Sequence, residues 1–222
     1  MIEQKSADDW EAHYAKEDPY GAGGRWISER KRVYNSFLAI PNNRNYNAAL
    51  DLCSGEGHFT SLLVNLVKSV VSVEISRNAI QRAQKKLEGK PVLFMHADVF
   101  EVDFPENPFD LVCAVECLEY ARNKSKEVSK WARWLQPGGV LVATGPILPG
   151  YFTWEEFIAC FESDFNVVDM RPVTTKFILA KLANRRLVPF PERVYDMSMA
   201  LTRIFPKPLT KHLALVAEPR KS

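Results

Sequence analysis

Leu50-Asp51-Leu52-Cys53-Ser54-Gly55-Glu56-Gly57-His58-Phe59 is the stretch that decides the fold. An apolar run from Ala48 to Leu52 carries an acidic residue at its end, and a loop of small residues follows. Phe59, Leu62, Leu63, Leu66 and Val67 then recur at helical spacing. The pattern reads strand, glycine turn, helix, the opening unit of a nucleotide-binding α/β fold. Gly55 and Gly57 permit a sharp turn and close approach of a ligand to the backbone. The helix after them is expected to present free N–H groups and a positive dipole end to the loop. Two common phosphate loops are excluded: Cys53 and Thr60 stand where a dinucleotide fingerprint would need glycines, and Gly-Lys-Ser/Thr is absent.

The spacing Asp51-x-Cys53-x-Gly55-x-Gly57 instead resembles motif I of the class I S-adenosylmethionine (SAM) methyltransferases. The family usually has glycine at the first small position, and Cys53 departs from that. Further segments carry the resemblance in the family's order. Ser69 to Glu74 reads as a second strand ending in a carboxylate that can accept hydrogen bonds from both hydroxyls of a ribose. Val92 to His96 reads as the third strand, after which the resemblance puts Asp98 at the adenine amino group and the Val99 N–H at a ring nitrogen. Phe109-Asp110-Leu111-Val112 resembles the fourth strand, and its end near Val115 and Glu116 falls at the topological switch region, beside the sulfonium. At Leu135-Gln136-Pro137-Gly138-Gly139 a helix is expected to end, with Pro137 stopping it and the glycines supplying the reversal into a fifth strand. The agreement covers residues 48–145. It implies SAM as cofactor and S-adenosylhomocysteine as product, held by Asp51, Cys53, Gly55, Gly57, Glu74, Ile75, Asp98, Val99, Val115 and Glu116.

Ahead of this core, Trp10, His13 and Tyr14 share one helical face, the turn Asp18-Pro19-Tyr20 and glycines 21, 23 and 24 break the helix, and a second helix is expected from Trp26 to Leu38. An aromatic turn between two helices can close over a cofactor as a lid. Asp18-Pro19-Tyr20 followed by Glu29-Arg30-x-Arg32 is similar to the NodS-type nodulation N-methyltransferases, which have tryptophan where Tyr20 stands. That resemblance adds Tyr14 and Arg30 to the cofactor contacts and Tyr20 to the catalytic candidates beside Glu116.

Beyond the core, Thr153-Trp154-Glu155-Glu156 is a capping-box helix start, Phe165 to Met170 a sixth strand, and Leu213 to Glu218 a seventh, antiparallel beside the sixth. The segment between, 172–212, is too long for a hairpin loop and carries two helical runs rich in Lys and Arg. It reads as a helical cap over a substrate cleft and as a surface suited to anionic or amphipathic partners.

With 222 residues, 46% hydrophobic and 25% charged, the chain is an ordinary globular domain. A formal charge of +2 gives no argument for nucleic acid. No apolar run reaches membrane-spanning length and the first residues lack the core of a signal peptide, so the expected location is cytoplasmic, with peripheral membrane contact through the basic insertion but no stable insertion. Cys53, Cys113, Cys117 and Cys160 show no metal spacing and read as reduced small hydrophobes. No metal is expected.

The expected architecture is a Rossmann-like, seven-stranded, mostly parallel sheet with helices on both faces. A single domain of 1–222 divides into a lid (1–46), a cofactor core (47–171), a substrate cap (172–212) and a last strand and tail (213–222). The expected function is SAM-dependent transfer of a methyl group to a nitrogen of a small molecule, such as an amino sugar or another biosynthetic intermediate, without nucleic acid. An O-methyltransferase acting on a small natural-product or lipid-like hydroxyl is the near alternative. A non-catalytic SAM-binding partner and an NAD-dependent reductase stand further off, since the glycine loop and Glu74 are kept and the loop is a poor dinucleotide site.

Overall fold

A computed structural model describes residues 5–20 and 26–220. The expected glycine hinge at 21–24 lies outside the described residues. Seven strands form one sheet, β1 (Tyr46–Leu52), β2 (Val67–Glu74), β3 (Val92–His96), β4 (Phe109–Val115), β5 (Leu135–Pro146), β6 (Phe165–Thr175) and β7 (Thr210–Pro219), in the order β3-β2-β1-β4-β5-β7-β6. β1 to β5 run parallel, and β7 lies antiparallel between β5 and β6. The order reverses between β1 and β4, which opens the crevice where such sheets bind ligands.

Alternation along each central strand builds a core on both faces. Leu50, Leu52, Val112, Ala114, Leu141 and Ala143 point to one side, against Trp131, Trp134, Phe157 and Phe161. Ala49, Leu111, Cys113, Val140 and Val142 point to the other, against Ile40, Phe59 and Leu63. Burial on both faces explains why these strands read as continuous apolar runs.

The helices are α1 (Ala7–Tyr14), α2 (Ile27–Phe37), α3 (Thr60–Leu63), α4 (Arg77–Lys86), α5 (Lys124–Trp134), α6 (Trp154–Ala159), α7 (Ile178–Asn184), α8 (Pro191–Ile204) and α9 (Pro206–Leu209). Thr153 and Glu156 form the expected capping box of α6. Two expectations need correction. The helix after the glycine loop is a single turn, because Val67 is drawn into β2 opposite Tyr46, so little dipole reaches the loop. Pro137 does not end a helix: α5 stops at Trp134, β5 begins at Leu135, and the Pro-Gly-Gly segment is accommodated as a register shift between the pairs Phe109–Leu135 and Leu111–Val140.

Candidate active site

The carboxyl ends of β1 to β4 border a cleft of about 790 Å³ lined by Tyr14, Tyr20, Cys53, Glu74, Ile75, His96, Asp98, Val99 and Glu116. The loop after β1 borders it through Cys53. Gly55 (φ +54°) and Gly57 (φ +70°) both hold left-handed backbone. A Cβ on Gly55 would come within 2.7 Å of the Tyr14 hydroxyl, and one on Gly57 within 2.9 Å of Ala83. Cys53 (φ +55°) and Glu116 (φ +54°) adopt the same conformation without being glycine, one residue past the ends of the neighbouring strands β1 and β4. Strain of this kind concentrates at binding sites, and it supplies a physical reason for the family's preference for glycine where Cys53 stands.

Glu74 is buried, and its two oxygens accept the N–H groups of Gly55 (2.8 Å) and Ser76 (2.9 Å). Burial pushes its carboxyl above the ordinary value, tempered by those backbone bonds. Each oxygen keeps a lone pair for a diol. At the next strand end, Asp98 Oδ1 accepts the Phe100 N–H, and Lys130 of α5 donates to the carbonyls of Val99 and Phe100.

The N-terminal helix roofs the cleft. Glu11 accepts the Ser76 hydroxyl (2.6 Å) and the Asn78 N–H at the start of α4. Trp10 stands edge-on to Tyr120 (5.0 Å), and His13 packs on Tyr20 (4.7 Å). At the base of the roof, Asp18, Glu56 and His58 bring ligand atoms within 4.8 Å of one another. Arg82 already pairs with Glu56, and Lys86 Nζ sits 3.1 Å from His58 Nδ1, so cationic side chains compensate this cluster.

Glu116 is the hub of a buried polar network. Its carboxylate faces Arg32 of α2 (3.3 Å) and His212 of β7 (3.4 Å) and accepts the Thr144 hydroxyl (3.0 Å). Burial opposes its ionisation, but His212, Arg32 and Thr144 outweigh that and hold it below the ordinary carboxylate value. His212 itself is pulled down to about 4 by burial and stays neutral at pH 7. Glu119 is the opposite case. Burial, then the charge of Glu116, pushes its carboxyl well up, and its Oε2 has no partner among the described residues. Burial also raises Tyr20 to about 12 and Tyr14 and Tyr120 well above the ordinary phenol.

Four sequence expectations change. Arg30 does not reach the cleft: its guanidinium pairs with Glu192 of α8 (2.5 Å), and Arg32, half a turn further on, is the one turned toward Glu116. Asp51 lies beneath the loop, where Thr60 donates to it (2.6 Å) and burial raises it to about 7. Gly55 lies under Tyr14, Gly57 packs on α4, and Val115 packs in the apolar layer against the sheet; none of the three lines the cleft. Cys53 and Cys117 form a disulfide, their Cα atoms 5.7 Å apart. Their separation of 64 residues hid a pairing that only the adjacency of β1 and β4 creates. Glu11, Lys130 and His212 escaped notice; Arg32 stood in the Glu29-Arg30-x-Arg32 run without a site role, and its spacing from Glu29, which pairs the two on one helix face (2.9 Å), was its signal.

A second cavity, of about 960 Å³, adjoins the cleft at Tyr120 and Arg122, which line both. Glu119, Tyr151, Phe152, Trp154 and Lys176 form much of its wall.

Residues 50–143 match the family model described as a methyltransferase domain. An uncharacterized methyltransferase of Mycobacterium tuberculosis is 25% identical over 115 residues, which are 50% of this chain and 58% of that protein, so the chain spans little more than half the length of such a relative. Two solved structures are similar over nearly the whole chain. The N-methyltransferase NodS from Bradyrhizobium japonicum, in complex with S-adenosylhomocysteine, has a TM-score of 0.71 at 16% identity, covering 97% of this chain and 98% of that one. A chain of the Haloferax volcanii complex between the Trm112 methyltransferase activator and a methyltransferase scores 0.71 at 16% identity, covering 96% and 98%. Over residues 50–143 the chain thus matches a methyltransferase domain. In overall fold it resembles NodS.

Proposed function

We propose that this protein transfers a methyl group from SAM to a nitrogen of a small molecule seated in the cavity beyond Tyr120. Glu74 would hold the ribose diol, the Asp98–Val99 turn the adenine, and the Gly55 loop under Tyr14 the amino-acid end. Glycine at 55 is what lets the loop pass directly beneath the Tyr14 hydroxyl, which a Cβ would meet at 2.7 Å. SAM, when bound, supplies an electrophilic methyl with a thioether as leaving group. The protein's own part is to align the acceptor, exclude water and manage one proton.

One observation carries the choice of nitrogen. Around the cleft and the adjoining cavity, Tyr14, Tyr20, Tyr120 and Glu119 are pushed up by burial and Glu116 is held down and paired with Arg32, so none of these five offers an ionised base suited to an alcohol. A neutral amine needs no base before attack, and an ionised carboxylate such as Glu116 can stabilise the ammonium that forms, whose proton then leaves to water. Tyr20, in the roof, would orient the acceptor rather than deprotonate it.

A panel of amines, alcohols and carboxylates, incubated with SAM and read by mass for a gained methyl group, tests this. Methylation confined to amines is expected. Methylation of an alcohol with amines left untouched would overturn the assignment of nitrogen while leaving the cofactor reading intact.

A further inference from the structure

The insertion between β6 and β7 has two unlike faces. Ala180 and Ala183 of α7 and Tyr195 and Met199 of α8 close on Ile27 of α2. The two acidic groups of α8 also turn that way, Glu192 to Arg30 (2.5 Å) and Asp196 to Lys31 (2.8 Å). The outward face keeps what is left. Leu187, Phe190, Met197, Leu201, Ile204 and Phe205 are all exposed, Phe190 by 72% and Met197 by 69%. Eight of the fourteen large apolar side chains exposed among the described residues lie between Ile178 and Phe205, a concentration that scattered surface leucines do not produce. Interleaved with them are Lys181, Arg185, Arg186, Arg193 and Arg203, exposed and, among the described residues, without a carboxylate within ion-pair distance. Phe190 holds a left-handed φ of +50° at the turn into α8, and the Arg193 guanidinium stacks 5.7 Å from its ring.

We propose that this face docks the protein on an anionic phospholipid surface, with Phe190 and the apolar side chains of α8 entering the headgroup–acyl boundary and the flanking cations meeting lipid phosphates. The chemistry selects this occupant. Apolar side chains ringed by Lys and Arg, with the acids withdrawn to the inner side, make the pattern of an interfacial amphipathic element, and each cation near such a surface strengthens binding about fivefold. A second copy of the chain on the same face would set unpaired cations against identical ones with no carboxylate to answer them. Lys207 of α9 lines the cavity beside the cleft, so the lipid-facing insertion and the acceptor side share an element. The inference concerns binding and stands apart from the identity of the acceptor.

The test is flotation of the full chain with vesicles of phosphatidylcholine alone and of phosphatidylcholine mixed with phosphatidylglycerol. The expected result is capture by the mixed vesicles and not by phosphatidylcholine, weakened by raised ionic strength. It should fall at least about tenfold in the double variant Phe190→Ser/Met197→Ser and again in Arg185→Glu/Arg193→Glu. Both variants should keep the wild-type melting temperature with S-adenosylhomocysteine, which shows that the fold survives. No capture by the anionic vesicles, or capture that both variants leave unchanged, would overturn the proposal. So would a wild-type dimer in sedimentation velocity that Phe190→Ser/Met197→Ser converts to monomer, since the face would then be an interface between copies.

Discussion

The loops after β1, β2 and β3 and the helices between β6 and β7 were built under different constraints. In the first region nearly every polar atom is committed: Glu74 to two backbone N–H groups, Asp51 to Thr60, Asp98 to its own turn, Glu11 to the start of α4. In the second, cations and large apolar side chains stand in the open, and the pairing made by α8 is confined to the side that meets α2. A cofactor of fixed shape demands a fixed cradle, whereas a docking and capping element needs only composition and a face. Substitutions should therefore hurt binding in the first region and leave it alone in the second.

Apart from Glu74, a large effect on cofactor binding is expected at Gly55. Gly55→Ala combines a left-handed φ with a Cβ 2.7 Å from the Tyr14 hydroxyl, so calorimetry should find S-adenosylhomocysteine binding weakened by about tenfold or more. Glu116→Gln follows. Turnover should fall by about tenfold to a hundredfold, and stability by about 1–3 kcal/mol because Arg32 loses one of its two carboxylates; full turnover at saturating SAM would end the role assigned to Glu116. Next comes acid sensitivity. His212, with an ordinary value of 6.5, is held at about 4 in the fold, so the unfolded chain binds its proton first. That stability is complete above pH 6.5 and drains as pH falls toward 4, on the order of 3 kcal/mol. Asp51, raised to about 7, works in the opposite sense over the same range. Denaturant titrations against pH should show a flatter acid side in His212→Asn and a steeper one in Asp51→Asn. The smallest effect sharpens the contrast: Met197→Ser, exposed on α8, should leave S-adenosylhomocysteine affinity unchanged and stability within about 0.5 kcal/mol.

The same division governs what could be read from the amino acids. The glycine turn, the acidic end of β2, the Asp98–Val99 turn and the apolar strands were all visible, because backbone geometry and burial on both sheet faces leave periodic marks. The antiparallel last strand beside the sixth was foreseen, and its insertion between β5 and β6 was not. Contacts between distant segments left no mark. Arg30 and Arg32 differ only by where α2 faces after it docks on α8, so the wrong arginine was chosen. Glu11 reaches α4, His212 reaches Glu116 and Cys53 meets Cys117 only through the assembled sheet. The helix after the glycine loop was overdrawn because apolar spacing at Leu66 and Val67 suits helix and strand alike, and pairing with β1 settles it.

The central claim is that the cleft above β1, β2 and β3 holds SAM through Glu74. Calorimetric titration of S-adenosylhomocysteine into the wild type and into Glu74→Ala, with NADH as control, tests it most directly. Tight binding by the wild type, weakened by about a hundredfold or more in the variant, with no heat from NADH, is the expected result, as two charge-assisted hydrogen bonds to the ribose are lost. Absence of binding by the wild type, or equal affinity in the two proteins, would contradict it.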